Sequence, residues 1–199
     1  MTLHFDKDGL RQRLTRLSAP KQLAFMLLLC ERMFPGLERF AFDTDRDPSA
    51  CKECLKRGWM YLAGLVPEDG FQELGNACQE SAPDTEDFVH PLTSAAGDAA
   101  LSIANLAFFL SNHDVEQIVE AAGLARDSVH LFLQRAYAPH PFHLDTKIID
   151  KHPLMQRELE RQDDDLSLLQ SQPDEIHPEV VEVLKLRAAN RSGLLPVFP

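Results

Sequence analysis

The run from Ser94 to Asn112, SAAGDAALSIANLAFFLSN, limits this chain more than any other feature. It is apolar on nearly every face, so as a helix it has to be surrounded by other elements. Its alanines and Gly97 let neighbouring backbones come close. Asp98, Ser102 and Asn105 interrupt its most apolar part, Ser94 to Leu110, which falls short of the roughly 20 apolar residues that a bilayer span needs. Around it, apolar residues recur with the helical period and almost never alternate, which predicts an all-α protein.

The rest of the 199 residues supplies the neighbours. Leu10, Leu14 and Leu17 mark one face of a first helix. Ser18 offers an N-cap and Pro20 a first-turn proline for an apolar helix that Pro35-Gly36 should stop, with a short piece near Leu37–Phe42 to follow. Further helices are expected from Ser49 (Cys54, Leu55, Trp59, Leu62), from Pro67 (Phe71, Leu74, Cys78) and from Asp114, where Gln117 would complete a capping box. The stretch 139–152 reads as a connection with two prolines. Met155, Leu159, Gln162, Leu166 and Leu169 then follow at spacings of 4, 3, 4 and 3, a seam-like stripe. A last helix with Ile176, Val180, Val183 and Leu184 ends at Ser192-Gly193, and the apolar tail should lie back on the body. The expectation is a single-domain helical bundle over 1–199 with about seven to eight helices. A runner-up appends the last two helices as a hairpin over 153–193.

Charge is distributed unevenly. Lys plus Arg is 20 and Asp plus Glu is 31, a net charge of −11. Such a balance argues against sequence-independent nucleic-acid binding, which depends on clustered cations. Between Gly58 and Ala125 there is no Lys or Arg, against eleven Asp and Glu. That middle third reads either as a solvated acidic face or as a docking surface for a basic protein. The Arg-rich first helix of a second copy would be one such partner. A homodimer through Met155, Leu159, Leu166 and Leu169 is the other association that the pattern offers.

Candidates for chemistry are few. Cys51-Lys-Glu-Cys54 puts two thiols on one side of a helix start, and His140 and His143 could complete a zinc set. No second CxxC accompanies them, so these four are minor candidates and no metal or cofactor is expected. His140, His143, Asp145 and His152 form a second local group, but nothing in their spacing fixes them on one face. Nucleophile-elbow, phosphate-loop and dinucleotide fingerprints are absent. Asp98 stands out more, because a carboxylate in the most buried helix has to be solvated, paired or protonated. Arg32, in the other strongly apolar helix, is the partner expected for it, with Glu31 alongside. Ser94, Asp98, Ser102 and Asn105 would form one polar line along their helix.

Leu14, Arg16-Leu17, Gln22, Phe25, the run Cys30-Glu31-Arg32-Met33 with Pro35, and Phe40 resemble the opening of the bacterial YjaG-like family, a domain of unknown function. Asp98-Ala99, Leu186-Arg187 and the Gly193–Phe198 ending are also similar to that family. The resemblance implies an all-helical cytoplasmic protein and transfers no catalytic residue. Cys51, Cys54, His140 and His143 do not belong to its pattern. The functional expectation is a non-enzymatic cytoplasmic interaction module that uses its acidic middle or its late helix. The alternative is a small-molecule binder or hydrolase with a pocket around Glu31, Arg32 and Asp98.

Overall fold

The computed structural model describes residues 2–137, 145–190 and 193–196. Among these the chain forms nine helices and no strand. They are α1 Lys7–Leu14, α2 Ala19–Thr44, α3 Ser49–Leu62, α4 Phe71–Glu80, α5 Thr93–Asn112, α6 Val115–Tyr137, α7 Thr146–Lys151, α8 Pro153–Ser171 and α9 Pro178–Asn190.

The Ala-rich segment is α5, and it is the centre of the molecule. It packs against α6, α2, α4 and α3. Ala96, Ala99, Ala100, Ile103, Leu106 and Ala107 are wholly buried along it. It is long and apolar enough to cross a membrane by length and composition; its burial among four other helices gives that property a different cause. Small residues set the spacing here. A Cβ on Gly75 of α4 would lie 2.6 Å from Cε1 of Phe108 and 3.2 Å from the Ala107 methyl. Only glycine lets α4 approach α5 so closely.

Pro35-Gly36 does not end a helix. The two helices expected on either side are one, α2, with 26 residues and Pro35 inside it. A proline in a helix interior costs about 3 kcal/mol, because it removes a donor and crowds the preceding turn. Beyond it, however, Leu37, Phe40 and Ala41 are all buried. Burying a leucine or phenylalanine contributes about 1.5–3 kcal/mol each, so continuing the helix wins. The end of the chain also closes on this point. Leu194 N–H donates to the Arg32 carbonyl at 2.7 Å, and a Cβ on Gly193 would sit 3.5 Å from the Pro35 ring. Leu194 and Leu195 are buried, so the part of the tail that is described does lie back on the body.

The seam of α8 faces the protein's own interior. Met155, Leu159, Gln162, Leu166 and Leu169 are all buried, with α8 packed on α2 and α6 and α9 on α2. The connection expected over 139–152 contains a helix, the short α7, which Asp145 caps by accepting from Lys147 N–H. Ser18 and Pro20 open α2 as expected, yet the Ser18 hydroxyl caps nothing. It donates to the Asp174 carbonyl at 2.8 Å and so ties the start of α2 to the α8–α9 connection.

Candidate functional site

Among the described residues Arg32 is the largest fully buried side chain, at 2% exposure. It projects from α2 toward α8, and two carboxylates meet it there. Its Nε and one terminal nitrogen donate to Glu158 at 3.3 and 3.2 Å; the other terminal nitrogen donates to Asp165 Oδ2 at 2.6 Å and to the Leu28 carbonyl at 3.1 Å. Asp165 also accepts from Arg187 Nε of α9 at 2.8 Å, and Glu158 from Gln162 at 3.0 Å. Burial disfavours the cation, but the two carboxylates outweigh it and hold Arg32 protonated. Arg32 is thus pinned in a network linking α2, α8 and α9, each of its guanidinium nitrogens donating to a group of the fold.

The two residues expected beside Arg32 go elsewhere. Glu31 accepts from the Trp59 indole N–H at 2.8 Å; burial raises its pKa and that hydrogen bond opposes the rise. Asp98 is not the partner of Arg32, since its Oδ2 accepts from the Ser128 hydroxyl of α6 at 2.7 Å. Burial pushes Asp98 up to about 6, with the Ser128 bond opposing and the nearby Asp127 charge adding. The polar line on α5 is real in part. Ser94 accepts from Arg135 of α6 at 3.0 Å, so Ser94 and Asp98 both face α6. The expected cluster of Glu31, Arg32 and Asp98 is therefore three separate sites with three different partners.

The minor metal candidates divide in the same way. Cys51 and Cys54 are fully buried; Cys54 Sγ donates to the Ile103 carbonyl at 3.5 Å, and Cys51 lies 3.5 Å from the Ser81 hydroxyl. Cys78 contacts both thiols, and the pKa values of Cys51 and Cys78 are raised. No metal-holding group of His, Cys, Asp and Glu occurs among the described residues. His140 and His143 lie outside them. Asp145 and His152 cap α7 and α8, His152 by accepting from Leu154 N–H.

Two surface features remain. The first is the acidic stretch on and around α4, where Glu68, Asp69, Glu73, Glu80, Asp84, Glu86 and Asp87 are all exposed. Among the described residues only Glu68 of these has an ion-pairing neighbour, His113 at 3.4 Å. Arginines of the first helix reach carboxylates of their own chain instead: Arg11 bonds Glu116 and Asp8, and Arg13 bonds Asp163. The second feature is a cavity of about 360 Å³ where the start of α2 meets the ends of α3 and α5.

Residues 9–193 match the family model described as a protein of unknown function, DUF416. The chain belongs to that family. Its fold is similar to the crystal structure of a DUF416 family protein from Shewanella baltica OS155, with a TM-score of 0.79 at 22% identity, covering 90% of this chain and 92% of that one. At that identity the likeness speaks for the fold alone. The comparison with curated proteins gave no match.

Within this DUF416 chain, the residues that sequence reasoning missed are Glu158, Asp165 and Arg187. A signal was present for two of them. Glu158 and Asp165 are seven residues apart and border the apolar stripe of α8, where exposed carboxylates would not fall.

Proposed function

We propose that this protein is a non-enzymatic interaction module that docks a basic protein partner on the acidic face around α4. The observation that carries this reading is the exposure of all seven carboxylates from Glu68 to Asp87, within a stretch that has no Lys or Arg from Gly58 to Ala125. A surface of one sign steers an oppositely charged partner and raises the association rate. Apolar side chains accompany it: Leu65 is 70% exposed, and Val89 is fully exposed. An interface needs such groups beside its charges. The groups that would serve a hydrolase, Glu31, Arg32 and Asp98, are each hydrogen-bonded within the fold, which favours docking over catalysis. Four free, buried cysteines suit a reducing cytoplasm. Placement in the YjaG-like branch of the family rests on the Cys30–Pro35 run.

The test is affinity capture from an extract of the source cells at low and high salt, run beside a variant with Glu73→Lys, Glu80→Lys and Glu86→Lys. One basic protein retained at low salt by the wild type, released by high salt and ignored by the variant is the expected result. Equal recovery by the two chains, or recovery of nothing, overturns the reading.

A further inference from the structure

The cavity between α2, α3 and α5 has a chemistry of its own. Leu23, Leu62, Phe109 and Leu110 form an apolar floor, and Tyr61 and His113 stand at its edge. At about 360 Å³ it falls in the size range of small-molecule sites. The polar groups at its mouth converge on one carboxylate: the Tyr61 hydroxyl donates to Glu68 at 3.2 Å, and His113 Nε2 lies 3.4 Å from the same side chain.

Helix ends set the sign of the field. Two C-termini meet at the cavity, that of α3 just beyond Tyr61 and Leu62 and that of α5 just beyond Leu110. A helix C-terminus carries about half a negative charge and favours a cation. Neither helix has a basic residue in its last turn to answer it. The start of α2 acts in the opposite sense, but its first turn contains Pro20, which has no N–H to offer an anion. Lys21, the next residue along, is turned to Asp174 at 3.1 Å. Arg57, the nearest arginine of α3, stacks on the Phe71 ring and donates to the Asp69 carbonyl. Glu68 stands just outside the lining, held there by Tyr61 and His113, and its negative charge adds to that of the two C-termini above an apolar floor.

We propose that this cavity binds a small organic cation with an apolar body, an aryl or alkyl amine. Its ammonium group meets Glu68 and the Tyr61 ring, and its hydrocarbon part lies on Leu62, Phe109 and Leu110. The proposal shares Glu68 with the acidic face but does not rest on a partner protein, since it is read with small molecules alone.

The experiment is a calorimetric and NMR titration of the purified chain with 2-phenylethylamine and, separately, with 3-phenylpropionate, a carboxylate of similar shape. The amine should bind about tenfold or more tightly than the carboxylate, a preference worth about 1.4 kcal/mol. Shifts should centre on the amides of Leu62, Leu110 and His113. Glu68→Gln should remove most of that preference. Ala19→Trp, placed at an exposed position on the rim so that folding is spared, should abolish binding of the amine. Equal or tighter binding of the carboxylate, no binding of the amine, or amine binding that survives Ala19→Trp in a chain with unchanged circular dichroism would each overturn the proposal.

Discussion

The network around Arg32 and the face around α4 handle charge in opposite ways. In the first, among the described residues, Arg32 and Arg187 meet Glu158 and Asp165 between α2, α8 and α9, so that cations and anions face each other. In the second, seven carboxylates share a surface, and among the described residues only Glu68 has an ion-pairing neighbour, His113. The dielectric explains why both are tolerated. At 4 Å a pair of unit charges is worth about 4 kcal/mol at an effective dielectric constant of 20 and about 1 kcal/mol in water. Inside the bundle an unbalanced charge would be ruinous, so the sequence provides partners from three helices. On the surface water screens each carboxylate, and the surplus is free to act on something outside the chain. Buried charge here is matched across helices; exposed charge around α4 is left to water.

The sharpest way to break this contrast is Arg32→Met. It keeps most of the volume and leaves Glu158 and Asp165, at 1% and 0% exposure, facing each other without their shared cation. Removing one partner of a buried pair costs about 3–5 kcal/mol. Urea unfolding should show that loss, and Arg32→Lys should recover only part of it, since an ammonium cannot make the forked contact to Glu158. A cost for Arg32→Met below about 1 kcal/mol would mean that the network does not hold the helices together.

This same network marks where sequence reading stopped working. The buried status of α5, its polar line and the oddity of Asp98 could all be read locally, because each follows from residues three or four apart on one helix. The partner of Arg32 could not. It depends on α2 turning that residue toward α8, a packing between helices more than a hundred residues apart in sequence. Pro35-Gly36 is a second such place, where the burial of Leu37 and Phe40 carries α2 on. Local propensity read Pro35-Gly36 as a stop, and tertiary packing overrode it. The seam of α8 was visible, but its period fits an interior face and a dimer face equally well, and only the packing on α2 and α6 distinguishes them. Glu31, Arg32 and Asp98 each hydrogen-bond a different partner, on α3, α8 and α6, which no local spacing reveals.

Asp98 lies between the two regimes, partly buried and with a hydroxyl instead of a cation as its partner, and a smaller effect is expected of it. Its folded pKa, about 6, is above its ordinary value of 3.8. The folded state therefore holds the proton more tightly than the unfolded chain. Its favourable contribution is complete below pH 3.8 and is lost as pH rises through about 6, beyond which the folded protein carries a partly desolvated anion. Asp98→Asn keeps an acceptor for Ser128 and cannot ionise. It should stabilise the protein by about 1 kcal/mol at pH 7.5, an amount discounted for solvent screening, and by almost nothing at pH 3.5. Denaturant curves at the two pH values make the comparison. A benefit that is constant with pH would show that Asp98 is solvated like the surface carboxylates.

The smallest change is expected where the charge is greatest. Glu73→Lys, Glu80→Lys and Glu86→Lys together shift the net charge from −11 by three reversals of two units, to −5. All three positions are exposed and none makes an ion pair with a described residue. Exposed substitutions of this kind alter stability by about 0.5 kcal/mol or less each, and relief of self-repulsion works in the stabilising direction. The triple variant should therefore unfold at nearly the wild-type urea concentration in moderate salt, and slightly above it at low salt. A loss of more than about 1 kcal/mol would mean that the acidic face supports the fold after all. Unchanged stability has the opposite meaning. Carboxylates that the fold neither needs nor neutralises, concentrated on one helix and its flanking loops, are then a property of the surface alone, as they must be if they exist to meet a partner.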